Sequence, residues 1–140
     1  MEQDLNRFIN AQENSFEESL PEIKSGRKRS HWMWYIFPQY KGLGFSETSK
    51  YYSINDLDEA KRFLNHQILG ERLKLITKEL LILNENNANK VFGSPDDLKL
   101  KSSMTLFATI DTSEENIFNA VLDKFFAGQN DNKTLTLIKE

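Results

Sequence analysis

The sequence contains no cysteine, only two histidines and no long apolar run. Without cysteine, the protein can have no disulfide bond, thiol nucleophile or thiolate metal site. The histidines, His31 and His66, are far apart along the chain, whereas zinc usually has three or four nitrogen or sulfur ligands. No stretch of 18 consecutive apolar residues occurs, so no transmembrane helix is predicted. These absences disfavour a disulfide scaffold, a zinc centre and a membrane protein.

Basic residues are in the minority, with 18 lysines and arginines against 21 acidic residues and a net charge of −3. An overall negative charge repels nucleic acid, so DNA and RNA are not expected as partners. No membrane partner is expected either, because no long apolar run occurs. The first residues also lack the basic end and apolar stretch of a signal peptide. We therefore expect a cytoplasmic protein.

The whole chain, residues 1–140, is predicted to be one domain, because no linker, repeat or low-complexity segment divides it. Apolar spacings of three and four predict helices, and no turn dipeptide joins alternating runs into a hairpin. The predicted helices cover residues 3–20, 56–65, 68–84, 96–109 and 113–127, with shorter turns near 89–92 and after 131. The segment 31–37 forms either a short helix capped by Ser30 or a buried strand. The sequence thus predicts an all-α fold of about six or seven short and medium helices.

Local signals mark several helix ends. Asp56 with Glu59 has the spacing of a capping box, and so does Thr112 with Glu115. Gly70 lies near the start of the most regular helical pattern, at a cost of about 1 kcal/mol relative to alanine. A glycine there indicates close packing or the close approach of a ligand.

The first unusual stretch is residues 26–39, GRKRSHWMWYIFPQ. Its basic residues favour an anion, because arginine and backbone N–H groups bind phosphate well. We assign Arg27 and Lys28 to a phosphate and Trp34 to stacking on a planar base. His31 titrates near neutral pH, which makes it the candidate general acid–base catalyst. The alternative interpretation is a solvated basic loop beside aromatic residues of the core.

The second unusual stretch is residues 99–107, KLKSSMTLF. Helical spacing places Lys99, Ser103 and Phe107 on one face, with Ser102 beside them. These hydroxyl groups either pack against a neighbouring helix or hold a polar ligand. We expect Ser103, together with Gln39, to orient that ligand.

These stretches predict a pocket between the 26–46 segment and the 99–107 helix. Its occupant would be a phosphate-bearing, nucleotide-like metabolite of the ADP-ribose type. If the protein is an enzyme, the expected reaction is hydrolysis or transfer at a glycosidic or phosphoester bond. The predicted ligand-binding residues are Arg27, Lys28, Trp34, Gln39, Gly42, Gly44, Ser46, Lys99, Ser102 and Ser103. No cofactor is predicted, because neither a GxGxxG fingerprint nor a GxxxxGK[ST] loop occurs.

A different function remains open, namely a protein-interaction or regulatory module without turnover. That function predicts an exposed apolar patch around Trp32 and Phe37, which a partner protein would cover.

The two stretches also carry a family resemblance. The string GRKRSHWMWYIFPQYKGLGFS, the segment ILGERL at 68–73 and the segment KSSMTLF at 101–107 resemble the domain-of-unknown-function family DUF1810. The residues that match its motifs are Arg27, Lys28, His31, Trp34, Pro38, Gln39, Gly42, Gly44, Ser46, Gly70, Arg72, Lys99, Ser102, Ser103 and Met104. A fainter similarity links the chain to NADAR domains, helical proteins that act on ADP-ribose-type N-glycosides. The acidic residue of the NADAR Ser-Glu-His pattern is missing here, because His31 directly follows Ser30.

Overall fold

The computed structural model describes residues 3–139, with side chains from Leu5 onward. Within that range the chain forms nine α-helices. They are α1 (Gln3–Lys24), α2 (Met33–Ile36), α3 (Glu47–Tyr51), α4 (Leu57–Asn65), α5 (Leu69–Ile82), α6 (Ala88–Phe92), α7 (Asp96–Ile110), α8 (Ile117–Phe126) and α9 (Asn132–Lys139). The predicted all-α class is confirmed. The only β-pairing among the described residues is a single parallel bridge between Tyr40 and Ile54.

Helix α7 is the central element of the fold. It packs against α4, α6, α8 and α9, while α5 packs against α1, α4 and α8. Eight consecutive buried or nearly buried positions follow its first turn, because neighbours cover it on several sides. Its first turn and the segment before it lie closer to the surface, where they line one of the hollows described below.

The aromatic residues of the first unusual stretch divide between core and surface. Trp32 and Phe37 are fully buried, and their rings lie 6.2 Å apart. The predicted apolar patch around these two residues is therefore wrong, since burial of the rings is what stabilises this part of the fold. Trp34, on the opposite side of α2, is only half-buried.

One predicted helix cap is present in the structure, and two others are not. Asp56 caps α4 as expected, with its Oδ1 accepting a hydrogen bond from the Glu59 N–H at 2.7 Å. Helix α8 begins later than predicted, and Asn116 caps it by accepting from the N–H groups of two following residues. Thr112 therefore plays no capping part for α8. Ser30 does not cap α2, whose preceding residue makes no side-chain capping bond.

The junction of α4 and α5 explains why position 70 is a glycine and what the His66 side chain contacts. A Cβ atom on Gly70 would lie 2.0 Å from the Leu64 carbonyl oxygen, so only glycine allows the two helices to approach this closely. His66 caps α5 through Nδ1, which accepts from the N–H groups of Ile68 and Leu69 at 3.0 and 3.2 Å. Gly70 is thus a packing residue.

Candidate functional site

A cleft of about 240 Å³ lies where the two unusual stretches meet. Three segments surround it: the loop before α3, the first turns of α7, and the start of α9. Its lining residues are Gln39, Leu43, Gly44, Pro95, Leu98, Lys99, Ser102, Asp131 and Lys133. We call this hollow the polar cleft, because five of its nine lining residues have charged, amide or hydroxyl side chains.

Backbone contacts fix the loop that carries the first part of this wall. The Ile54 N–H donates to the Gln39 carbonyl oxygen at 2.8 Å, which ties the loop to the strand-like residues before α4. Gly44 packs so closely on α3 that a Cβ atom would lie 2.4 Å from the Ser49 Cβ. Ser46 caps α3 by accepting from the Ser49 N–H at 3.1 Å. The loop is therefore held by α3, an element that lacks a sequence signal of its own.

Lys99 occupies the centre of the site. Its Nζ lies 5.3 Å from the centre of the Trp34 ring, a cation–π distance. The same ammonium group pairs with the Asp96 carboxylate at 3.5 Å, while Lys28 pairs with that carboxylate more closely, at 2.8 Å. Lys99 is thus the less tightly held of the two cations, and it faces the polar cleft.

Trp34 lines a second hollow, an aromatic groove of about 550 Å³. Its lining residues are Trp34, Tyr35, Glu47, Thr48, Tyr51 and Tyr52. The Tyr52 ring is 5.1 Å from Tyr35 and 4.8 Å from Tyr51, so three phenol rings form one wall. Burial, followed by the neighbouring Tyr51, raises the pKa of Tyr52, which therefore stays a neutral phenol.

Arg7 of helix α1 holds the far wall of this aromatic groove. Its guanidinium group donates to the carbonyl oxygens of Tyr51 and Ser53, each at 2.7 Å. It also pairs with the buried Glu59 carboxylate at 3.2 Å. Because Arg7 contacts both α3 and α4, it fixes Tyr51 opposite Trp34.

Glu22 fixes the loop that leads from α1 to α2. Its carboxylate accepts hydrogen bonds from the N–H groups of Arg29 and Ser30, the Ser30 hydroxyl and the Trp32 indole, at 2.6–3.0 Å. Partial burial by itself would raise the pKa of Glu22, but these four donors together lower it from 4.5 to about 2. The loop that carries the basic residues therefore folds around the Glu22 carboxylate, which occupies its N–H donors.

Four of the predicted site residues meet in the polar cleft, namely Gln39, Gly44, Lys99 and Ser102. Ser102 is almost fully buried, and its hydroxyl donates to the Leu98 carbonyl oxygen at 3.2 Å. Trp34 lies beside them in the aromatic groove.

The predicted phosphate-binding and catalytic residues of the basic loop lie elsewhere. Arg27 and His31 are exposed, and neither is among the residues that line the polar cleft or the aromatic groove. Lys28 is mostly buried, where it pairs with Asp96 and donates to the Ser30 carbonyl oxygen at 2.5 Å. Lys28 thus joins the loop to α7 and is not directed at a ligand.

The remaining predicted residues support the walls of the site. Gly42 has a φ of +99° and packs against Leu137 of α9, and Ser46 caps α3. Ser103 is fully buried within α7, and among the described residues its hydroxyl has no hydrogen-bond partner.

Two charged cleft residues, Asp131 and Lys133, are not among the predicted site residues. Asp131 caps α9, and its Oδ2 accepts from the Thr134 N–H and hydroxyl at 2.9 and 2.6 Å. Lys133 lies with its Nζ 5.7 Å from the centre of the exposed Phe45 ring. The only sequence signal for Asp131 is its capping position, which points to no ligand.

Another hollow lies away from the predicted site residues. A third hollow of about 430 Å³ lies between α5 and the start of α8, where it is lined by Lys74, Lys78, Asp111 and Glu114 among others. It contains none of the predicted site residues. No group of three metal-ligating side chains occurs among residues with described side chains. Over the same part of the chain, no helix has the length and apolar character needed to cross a membrane.

Comparison with known proteins agrees with this fold. The crystal structure of the conserved hypothetical protein Rv1873 from Mycobacterium tuberculosis is similar over 98% of this chain and 97% of that one, with a TM-score of 0.94 and 42% identity. No curated protein matches the sequence. The family model described as "Protein of unknown function (DUF1810)" matches residues 2–138, which is nearly the whole chain. The chain therefore belongs to the DUF1810 family.

Proposed function

We propose that the polar cleft and the aromatic groove together bind a phosphate-bearing, nucleotide-like metabolite. Lys99 is the observation that carries this proposal, because one ammonium group borders the polar cleft and contacts the ring of Trp34. A phosphate on Lys99 would place an attached planar base within reach of the aromatic groove. The faint NADAR resemblance favours the same class of ligand.

The volumes of the two hollows support a ligand that binds with one part in each of them. Sites for whole small molecules usually measure about 300–1,000 Å³, so the polar cleft alone, at about 240 Å³, suits a phosphate or a sugar rather than a complete nucleotide. The aromatic groove, at about 550 Å³, has room for a base and offers ring faces for stacking.

The distribution of charge also supports an anionic ligand. The chain is acidic overall, yet the polar cleft has two lysines, Lys99 and Lys133, against one carboxylate. Lys28 neutralises much of the Asp96 charge at 2.8 Å, which leaves Lys99 with unused positive charge. A bound phosphate would neutralise the positive charge of Lys99, and charge-assisted hydrogen bonds to phosphate are strong.

The proposal includes hydrolysis of a glycosidic or phosphoester bond in this cleft. Such a reaction needs a proton-transfer group that touches the ligand. Asp131 is the one carboxylate among the described residues that line the polar cleft. We propose Asp131 as the proton-transfer group in place of His31, which is exposed outside the cleft. We also place this activity in the cytoplasm.

Isothermal titration with ADP tests the binding proposal. We expect the wild-type protein to bind ADP and Lys99→Ala to weaken binding at least tenfold, because the variant loses both the charge and the cation–π contact. Lys61→Ala is the matched control, since Lys61 is exposed on α4 and borders neither hollow. Equal affinity of the Lys99→Ala and Lys61→Ala variants would contradict the proposal, and so would a wild-type protein that does not bind ADP.

A non-catalytic interaction module is the second candidate, and one observation favours it. Phe45 and Leu98 are 76% and 60% exposed near the polar cleft, where a partner protein would bury both side chains. In that case Phe45→Ser with Leu98→Ser would abolish capture of a partner protein from a cell lysate while ADP had no effect. Unchanged capture by the double variant would argue against this candidate.

A further inference from the structure

We infer that two copies of this chain pair through helix α5, antiparallel and about a twofold axis at Leu75. The pairing surface is a row of three apolar side chains, Ile68, Leu75 and Ile82, which are 42%, 44% and 71% exposed. We call this row the α5 stripe. None of its residues lines the polar cleft or the aromatic groove, so the inference is independent of the proposed function.

The α5 stripe is regular along the helix. Its members are seven residues apart, which is close to two helical turns, so they lie in one line. Ile68 belongs to this line, because its backbone is helical and its carbonyl oxygen accepts from the Arg72 N–H at 3.0 Å. Among the described residues six large apolar side chains are exposed, and three of them form this line. Single exposed apolar residues are ordinary, whereas a seven-residue repeat is typical of paired helices.

The core uses a different side of α5. The buried apolar residues of this helix are Leu69, Leu73, Ile76 and Leu80, and the helix packs within the chain against α1, α4 and α8. The α5 stripe is therefore left uncovered by the packing of the domain itself. A second α5 helix presents apolar side chains at the same spacing, so it can cover the stripe along its whole length.

The charges on one flank of the α5 stripe select an antiparallel pair. Glu71 and Lys78 are seven residues apart on this flank, one before Leu75 and one after it. Both are exposed, and within residues 5–139 neither makes an ion pair. An antiparallel pair places each Glu71 opposite Lys78 of the partner subunit, whereas a parallel pair places like charges together, which is unfavourable. Lys74 lies farther round the helix, where it lines the third hollow together with three acidic residues.

The other flank has the same complementarity. Arg72 and Glu79 lie there, again one before Leu75 and one after it, and an antiparallel pair brings these opposite charges together. Arg72 already has contacts in its own chain, since it donates to the Gln12 amide oxygen at 3.3 Å and lies 5.4 Å from the centre of the Phe16 ring. This flank therefore contributes less to the antiparallel preference than the first.

The contact is short, so the dimer is weak. Helix α5 has 14 residues, which corresponds to a length of about 21 Å. Two helices of that length bury a small interface, and we expect a dissociation constant on the order of 10–100 µM. The protein is then monomeric when dilute and dimeric when concentrated.

Disulfide crosslinking of the intact chain tests the arrangement, because the protein has no cysteine of its own. The side chain introduced by Leu75→Cys lies at the twofold axis, so we expect mild oxidation to link most of that variant into dimers. The positions of Ile68→Cys and Ile82→Cys each lie about 21 Å from their own copy. We therefore expect neither variant to link alone and an equal mixture of the two to link.

Leu98→Cys is the matched control, because Leu98 is also an exposed leucine and lies on α7 outside the α5 stripe. We expect it to show only the crosslinking that random collisions produce. Crosslinking of Leu75→Cys no greater than that of Leu98→Cys would overturn the inference. Efficient crosslinking of all three stripe variants alone would also overturn it, since a parallel pair gives that result.

Sedimentation equilibrium of the wild-type chain and of charge variants gives an independent readout. We expect Glu71→Lys to weaken the dimer about tenfold, because two ion pairs become two like-charge contacts. Combining Glu71→Lys with Lys78→Glu reverses both charges, and we expect the double variant to recover the wild-type dissociation constant. A double variant no better than Glu71→Lys would contradict the antiparallel pairing. A wild-type protein that stays monomeric at about 200 µM would contradict the dimer itself.

Discussion

Single side chains set the shape of the basic loop before α2. The Glu22 carboxylate collects four donors from the segment 29–32, and its pKa is lowered to about 2 as a result. The loop sequence suggests phosphate binding because it is rich in arginine and lysine. In the folded protein, an internal carboxylate already occupies the N–H groups of Arg29 and Ser30. Those groups are not available to a ligand.

We expect Glu22→Gln to lower the free energy of unfolding by about 1–2 kcal/mol at pH 6.5, a modest value because the side chain is partly exposed. The pKa of Glu22 is lower in the folded protein than its ordinary 4.5, so its charge stabilises the fold fully above about pH 4.5 and progressively less as pH falls towards 2. Urea unfolding at several pH values measures this. The difference between wild type and variant must shrink below pH 4.5, and a difference constant from pH 6.5 to 3 would contradict the assignment. Glu18→Gln, on the exposed face of α1, is the neutral control.

His31 has an exposed side chain outside both hollows. We expect His31→Ala to change the affinity for ADP less than twofold and the free energy of unfolding by less than about 0.5 kcal/mol, as for other surface positions. Titration calorimetry and urea unfolding check the two values. A tenfold loss of affinity with an unchanged fold would return His31 to the ligand site.

Packed pairs of helices form most of the fold. The spacing of apolar residues predicts the longer helices well. Helix α5 has apolar residues repeated at intervals of three and four, which is why the sequence reveals it. Helix α3 was missed, because Glu47–Tyr51 has one turn of polar residues and no buried member. It forms through the Ser46 cap and its packing on Gly44, and neither contact is visible from periodicity.

The α4–α5 junction offers the sharpest test of packing. We expect Gly70→Ala to cost about 3 kcal/mol or more, because its Cβ would meet the Leu64 carbonyl oxygen at 2.0 Å and backbone must move. Lys74→Ala, one turn later on the exposed face of α5, should cost less than about 0.5 kcal/mol. Thermal unfolding followed by circular dichroism compares the two. Similar melting temperatures for both variants would show that the helices do not pack so closely.

For the molecule taken as a whole, the sequence locates the site only in part. Lys99 and Ser102 stand out because basic and hydroxyl residues interrupt an apolar helical pattern, and Gln39 ends the aromatic stretch. Asp131 and Lys133 could not be predicted as cleft residues, since they enter the polar cleft only because α9 packs back against α7. Arg27 has the residue type of a phosphate ligand, yet its position on the far loop depends on the Glu22 anchor. Residue type indicates the chemistry, and tertiary packing decides which residues share a cleft.

A crystal structure of the protein with ADP tests the central claim most directly. The account predicts a phosphate within hydrogen-bond distance of the Lys99 ammonium group and the adenine ring in the aromatic groove against Trp34. An ADP molecule bound in the hollow lined by Lys74 and Lys78 would contradict it, and so would a polar cleft that stays empty at millimolar ADP.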